Sequence, residues 1–196
     1  MLQLLILIII IFVVFFSLKI HHEKHSSEID YVISQLDNHK YLVRNLPDKK
    51  QAAELMAQIR TNLIKLVDHL KKKYPHDPRT SRLIEKFNPD NMSESSHDSS
   101  YTSYSVNKGE KLIFCLREKD DSHKLTDLNT IMFVAIHELA HIMTKSVGHT
   151  KEFWNNMRFL LDVAMSNELR VYHYQPYHNK PQPYCGMTIS DTPLKL

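Results

Sequence analysis

Histidine is the residue to follow in this chain, with thirteen in 196 positions. Two of them stand in His137-Glu138-Leu139-Ala140-His141. On a helix, residues i and i+4 share one face, one turn apart. His137 and His141 can therefore offer two ring nitrogens to one ion. Glu138 adjoins the first of them, where its carboxylate reaches water on that ion. This is the HExxH spacing of a zinc-hydrolase helix. Around it Ile131, Met132, Phe133, Val134, Ala135, Ile136, Leu139, Ala140 and Ile142 are all apolar. So apolar a helix is buried, and buried polar side chains are costly without a partner. A metal supplies one. The competing reading is a pair of core histidines satisfied by backbone carbonyls.

Catalytic zinc takes three protein ligands and keeps one position open. Seven residues separate His141 from His149, which directly follows Gly148. Gly148 lets the chain turn out of the helix, and Thr150 is placed to cap a new one. That second helix carries Phe153, Trp154, Met157, Leu160, Leu161 and Val163 on its apolar side. His149 is thus expected at a junction between two packed helices, as the third ligand. Glu152 and Glu168 are the next candidates. Glu168 is the runner-up, because a glutamate one helix downstream completes some zinc-hydrolase sites.

The elements that must position these residues are legible in outline. Thr126 or Asp127 can cap the metal-binding helix, which is expected to run to about Ser146. Pro47-Asp48 opens a long helix whose apolar stripe is Ala52, Met56, Ile59, Leu63, Leu66, Val67 and Leu70. Lys71-Lys72-Lys73 closes it at the negative end of the helix dipole. Asp77-Pro78 starts a shorter helix ending before Pro89. Asn91 to Ser100 reads as an exposed polar loop that covers the cleft. Tyr101–Val106 and Lys111–Arg117 read as two strands of a hairpin. Leu112–Leu116 is the expected sheet edge on which a peptide adds as a strand. Cys115 reads as a buried small hydrophobe.

The first eighteen residues differ from the rest. Leu4 to Phe16 is unbroken apolar sequence, and every Lys, Arg, Asp and Glu follows Leu18. No basic residue precedes the run and no small-residue cleavage site follows it, which disfavours a secretory signal. Residues 2–18 are therefore expected to be a retained transmembrane anchor. Lys19 and Lys24 on its C-terminal side place the remaining chain on the cytoplasmic side, where Cys115 and Cys185 would be reduced thiols. Residues 19–45 read as a stalk holding a short helix from Glu28 to Leu36. His21, His22 and His25 read as solvated juxtamembrane residues. Residues 46–196 form the globular domain.

Composition removes other classes. Three glycines leave no room for a glycine-rich phosphate loop, and two cysteines cannot build a disulfide framework or a four-cysteine zinc site. A net charge of +3 is no polyanion-binding signature. In the tail, Tyr172, Tyr174, Tyr177 and Tyr184 lie among prolines, and nothing in the sequence selects one of them as an oxyanion donor. Met187 is a weak candidate for a methionine beneath the metal.

The pattern His137-Glu138-Leu-Ala-His141, then Gly148-His149 and Phe153, resembles WLM and SprT-like metallopeptidases. With the apolar start and Tyr184-Cys185-Gly186-Met187 near the end, the chain is similar to small membrane-anchored WLM-like proteins of large DNA viruses. The resemblance runs from about Leu112 to Met187. It implies an α+β zincin-like domain, with a small antiparallel sheet packed on the metal-binding helix. It also implies Zn2+ held by His137, His141 and His149, with Glu138 as general base. The gap between His141 and His149 is longer than is usual in WLM proteins and shorter than in many SprT-like ones.

Sequence reasoning thus expects a membrane-anchored zinc metallopeptidase acting on protein or peptide substrates, facing the cytoplasm or virion interior. Its rival is a catalytically inactive, zinc-stabilised interaction protein of a membrane or virion with the same fold. Retention of Glu138 favours the enzyme, since a structural zinc needs no base.

Overall fold

A computed structural model describes residues 2–26 and 28–194. It is a mixed α+β structure. In chain order the elements are helix α1 (Leu2–Ser26), strands β1 (Ile29–Ile33) and β2 (Lys40–Arg44), and helices α2 (Lys49–Lys73) and α3 (Pro78–Lys86). Strands β3 (Met92–Glu94), β4 (Tyr104–Val106) and β5 (Lys111–Phe114) follow. Helices α4 (Leu128–Met143) and α5 (Lys151–Ala164) and strands β6 (Gln182–Tyr184) and β7 (Met187–Ile189) complete the chain.

Helix α1 corrects the expected anchor. Among the described residues no helix is long and apolar enough to cross a membrane. The transmembrane assignment of 2–18, and the single-pass localisation built on it, are overturned. Length gives the physical reason. Residues 2–18, apolar except for Gln3 and Ser17, rise about 25 Å at roughly 1.5 Å each, short of a hydrocarbon core of about 30 Å. The same helix continues through Lys19, Glu23 and Lys24 to Ser26. The side chains of His21, His22 and His25 lie outside the described residues.

The segment read as a stalk is built into the sheet. The helix expected from Glu28 to Leu36 is instead strand β1, paired antiparallel with β2 from Ile29↔Arg44 to Ile33↔Lys40. Tyr31, Val32, Tyr41 and Val43 are aromatic or β-branched and suit a pleated surface. Asn38, with a left-handed φ of 56°, makes the turn between the strands. Helix α2 fastens this turn. Glu54 accepts from the backbone N–H of Gln35 at 2.6 Å and from the Ser34 hydroxyl at 2.8 Å.

The main sheet has the order β1-β2-β3-β5-β4. The β2–β3 and β3–β5 pairs are parallel, while the outer pairs are antiparallel. The sheet is therefore mixed, not antiparallel as expected. Parallel neighbours need a long crossover, and α2 with α3 supplies the one between β2 and β3. Strand β3 lies within the segment read as an exposed loop covering the cleft. Met92, Ser93, Glu94 and Ser95 are all buried. The cause is the Glu94 carboxylate, which accepts from Arg117 Nε at 2.8 Å and from the Arg44 backbone N–H at 2.7 Å. The edge next to α4 is β4. Strand β5, expected there, is internal.

Helices α2, α3 and α5 and strand β4 all contact α4. Ile131, Ile136, Leu139 and Ile142 of α4 are fully buried. Each such side chain contributes about 1.5–3 kcal/mol, so α4 is the most firmly held element near the histidines. Its cap is the Asp127 side chain, which accepts from Thr130 N–H. The helix stops at Met143, earlier than expected, and Thr144 leaves helical geometry at ψ 135°.

Cys115 and Cys185 form a disulfide, with Cα atoms 6.0 Å apart. This corrects the reduced thiols expected there. The two cysteines lie 70 residues apart in sequence, and only the docking of the β6–β7 hairpin against the end of β5 brings them together.

Candidate metal centre

The helical spacing of His137 and His141 does what the sequence implies. Their rings lie on one face of α4 with the two Nε2 atoms 3.1 Å apart. His149 arrives from the loop between α4 and α5. Its Nε2 is 3.1 Å from that of His137 and 3.2 Å from that of His141. The three form the one cluster of potential metal ligands found among the described residues.

A neutral imidazole has a single N–H, so three converging Nε2 atoms cannot all satisfy one another. Burial, and then the neighbouring His141 and His149, push His137 down to about 3. Burial, then His149 and Lys108, bring His141 to about 4. Both are neutral at physiological pH, the form that ligates a metal. Tetrahedral zinc with Zn–N near 2.0–2.1 Å sets its nitrogens about 3.3–3.4 Å apart, close to the spacing found. The donor set fits a zinc ion.

Beneath the histidines lies Phe153, fully buried on α5. Its ring centroid is 4.3 Å from that of His141, 4.7 Å from His149 and 4.8 Å from His137. It occupies the place considered for Met187, which instead stands on the rim of the cavity, half exposed. Thr150 caps α5 as expected, its hydroxyl accepting from Phe153 N–H.

Glu138 is buried beside the ligands and accepts from the Ser105 backbone on edge strand β4. Burial raises its carboxyl to about 8, against the lowering effect of that hydrogen bond. Glu138, the three histidines and residues 102–105 share a cavity of about 630 Å³. Phe133 and Val134 add apolar surface, and the β6–β7 hairpin forms another wall through Met187, Thr188 and Ile189.

Glu168, the alternative third ligand, lies elsewhere. It pairs with Lys73 at 3.2 Å and approaches His69 Nδ1 at 3.7 Å. Glu152 turns to the loop, accepting from the backbone N–H groups of Lys145 and Ser146 at 3.1 and 3.2 Å.

The tail tyrosines separate. Tyr172 and Tyr177 pack against Phe133, with centroids 6.0 and 4.7 Å away. Tyr184 lines the cavity and pairs with the Ser103 hydroxyl, which also accepts from Cys115 N–H at 3.0 Å. Sequence reasoning missed Ser103 and Lys108 and did not single out Tyr184. One signal for Tyr184 was available, its place beside Cys185.

A family profile for the WLM domain matches residues 34–181. The chain belongs to the WLM domain family. The match takes in β2, the central helices and the three histidines. An uncharacterised protein, R325, of Acanthamoeba polyphaga mimivirus is 34% identical over 194 residues, covering 97% of this chain and 95% of that protein. Uncharacterised protein 042R of Invertebrate iridescent virus 3 is 35% identical over 85 residues, covering 43% of this chain and 50% of the other. Two solved structures of Wss1 from Saccharomyces cerevisiae are similar to part of this chain. One, at 25% identity and a TM-score of 0.46, covers 63% of this chain and 84% of the other. The second, a mutant, is at 24% identity with a TM-score of 0.49, covering 67% and 92%.

Proposed function

We propose that this WLM domain is a zinc-dependent peptidase. The observation that supports the reading is the convergence of three Nε2 atoms within 3.2 Å, with the buried Glu138 carboxyl in the same cavity. His137, His141 and His149 would hold the ion, and zinc when bound supplies Lewis-acid chemistry toward water and a peptide carbonyl. Glu138 takes the proton of the attacking water and returns it to the leaving amine.

The substrate is an extended peptide. Strand β4 is the sheet edge beside the histidines, and main-chain pairing along such an edge binds a strand without regard to most side chains. Residues 102–105, at and just before β4, line the cavity together with Glu138.

The test is to purify the full chain, measure its zinc content and screen it against a peptide library. About one zinc per chain and cleavage are expected. Glu138→Gln keeps the shape but accepts no proton at neutral pH. It should retain zinc and lose turnover by roughly 10² to 10⁴. Bound zinc without cleavage would favour the inactive, zinc-stabilised interaction protein. A Glu138→Gln variant as active as the parent would rule out the glutamate-assisted mechanism.

A further inference from the structure

The histidines reach the centre by different routes. His137 and His141 are fixed by a buried helix, but His149 stands in a seven-residue excursion beyond α4 with an exposed neighbour, Val147. Gly148 does not fix it by packing, since nothing lies within 4 Å of where its Cβ would be. Something else must order this loop. Fixing each free backbone residue costs about 1–2 kcal/mol, and a mobile third ligand would bind an ion correspondingly weakly.

Lys108 supplies the order from the opposite side of the cavity. Its Nζ donates to three successive carbonyls, Thr144 at 2.6 Å, Lys145 at 3.0 Å and Ser146 at 2.8 Å. An ammonium has three N–H donors, and all three are used. These carbonyls follow the C-terminal end of α4, where a cation is also favoured by the helix dipole. The loop amides are held from the other side by Glu152, whose carboxylate accepts from Lys145 N–H, Ser146 N–H and the Ser146 hydroxyl.

The position of Lys108 is itself fixed. Asn107 and Lys108 have left-handed φ values of 47° and 55°, followed by Gly109 at 115°. A Cβ at Gly109 would stand 2.4 Å from the Lys86 carbonyl oxygen, so only glycine lets the β4–β5 turn approach the end of α3 this closely.

We propose that Lys108 is a positioning residue for the third metal ligand, clamping the 144–146 backbone so that His149 is presented to the ion. The proposal rests on the zinc-site reading. It goes beyond it in assigning a role to a side chain from the β4–β5 turn that acts through the 144–146 backbone.

The experiment is a double-mutant cycle on zinc affinity, measured by chelator competition with the full chain. Lys108→Met should weaken zinc by about 10- to 100-fold, the range for residues that support a ligand from outside the coordination sphere. In the His149→Ala background, where the weaker binding is read by direct titration at zinc concentrations well above micromolar, the same substitution should change affinity less than twofold, because the ligand it serves is gone. The cobalt-loaded Lys108→Met protein should show weaker visible absorption than the cobalt-loaded parent, reporting a distorted four-coordinate site. If Lys108→Met does not fold, Glu152→Gln probes the same loop from its other side and should show the same dependence on His149. Unchanged zinc affinity in the single variant would overturn the proposal, as would equal weakening with and without His149. A parent chain that binds no zinc would instead remove the metal-site reading itself.

Discussion

The ring of Phe153 sits 4.3 Å from the ring of His141, centroid to centroid, and within 4.8 Å of the other two histidines. One fully buried side chain on α5 thus packs against histidines from α4 and from the loop that follows it. Removing it should affect folding and metal together. Phe153→Ala should destabilise the domain by about 3–5 kcal/mol, the usual cost of emptying a buried phenylalanine site. Phe153→Leu should cost less. Thermal unfolding with and without zinc measures both effects, and the stabilisation by zinc should shrink in Phe153→Ala. An unchanged zinc-dependent shift in melting temperature would mean that the ring fills space without supporting the ligands.

The third ligand can be assigned by substitution. His149→Ala should abolish stoichiometric zinc binding at micromolar protein, because two imidazoles rarely hold zinc alone. Glu168→Ala should leave zinc content as in the parent. Its carboxylate makes only an exposed pair with Lys73 and a longer approach to His69, so the loss in stability should be at most about 1 kcal/mol. Elemental analysis of the two variants decides the point, and the opposite pattern would exchange the assignments.

The Cys115–Cys185 disulfide fastens the hairpin that walls the cavity. Closing a loop of this length is worth about 4 kcal/mol by chain entropy. Reduction, or Cys185→Ser, should lower the melting temperature by roughly 10 °C. Because Tyr184 still pairs with Ser103, the hairpin should stay near the site, while Met187 and Ile189 hold substrate less well. The expected signature is a raised KM with zinc content intact. Loss of zinc on reduction would show that the disulfide supports the ligands directly.

Acid should destabilise the metal-free chain through its paired carboxylates. The Arg79 guanidinium beside Asp77 holds that carboxyl below its usual value. The Gln35 backbone N–H does the same for Glu54. A group depressed in the folded state is stabilising above its unfolded pKa, and that contribution is lost as pH falls through the folded value. Stability should therefore begin to decline below about pH 6.5, as His137 and His141, held neutral by burial, take protons only on unfolding, and decline more steeply below about pH 4, where the carboxylates titrate in the unfolded chain. Chelator-treated protein melted from pH 7 to pH 3 tests this. Asp77→Asn should be less stable at pH 7 and should flatten the decline.

Much of the centre is local and was legible without a structure. The i, i+4 spacing of His137 and His141 is a property of any helix, and the apolar residues around them require that helix to be buried. Asp77, Asp127 and Thr150 cap their helices as their positions suggest, because a cap needs only neighbouring residues. His149 was recognisable from its place between two helices.

Contacts remote in sequence were decided by tertiary structure alone. Ile29, Val32, Ile33 and Leu36 recur at helical spacing, yet 29–33 is a strand, because β2 takes up its hydrogen-bonding groups and Glu54 takes those of Gln35 and Leu36 just beyond it. Met92–Glu94 is a polar-looking segment made into a central strand by Arg117 and two parallel neighbours. The Cys115–Cys185 bond, the choice of Tyr184 over three other tyrosines and the reach of Lys108 to the 144–146 carbonyls join residues from 36 to 81 positions apart. Spacing rules extend over one or two helical turns. Beyond that range, tertiary packing determines which side chains meet.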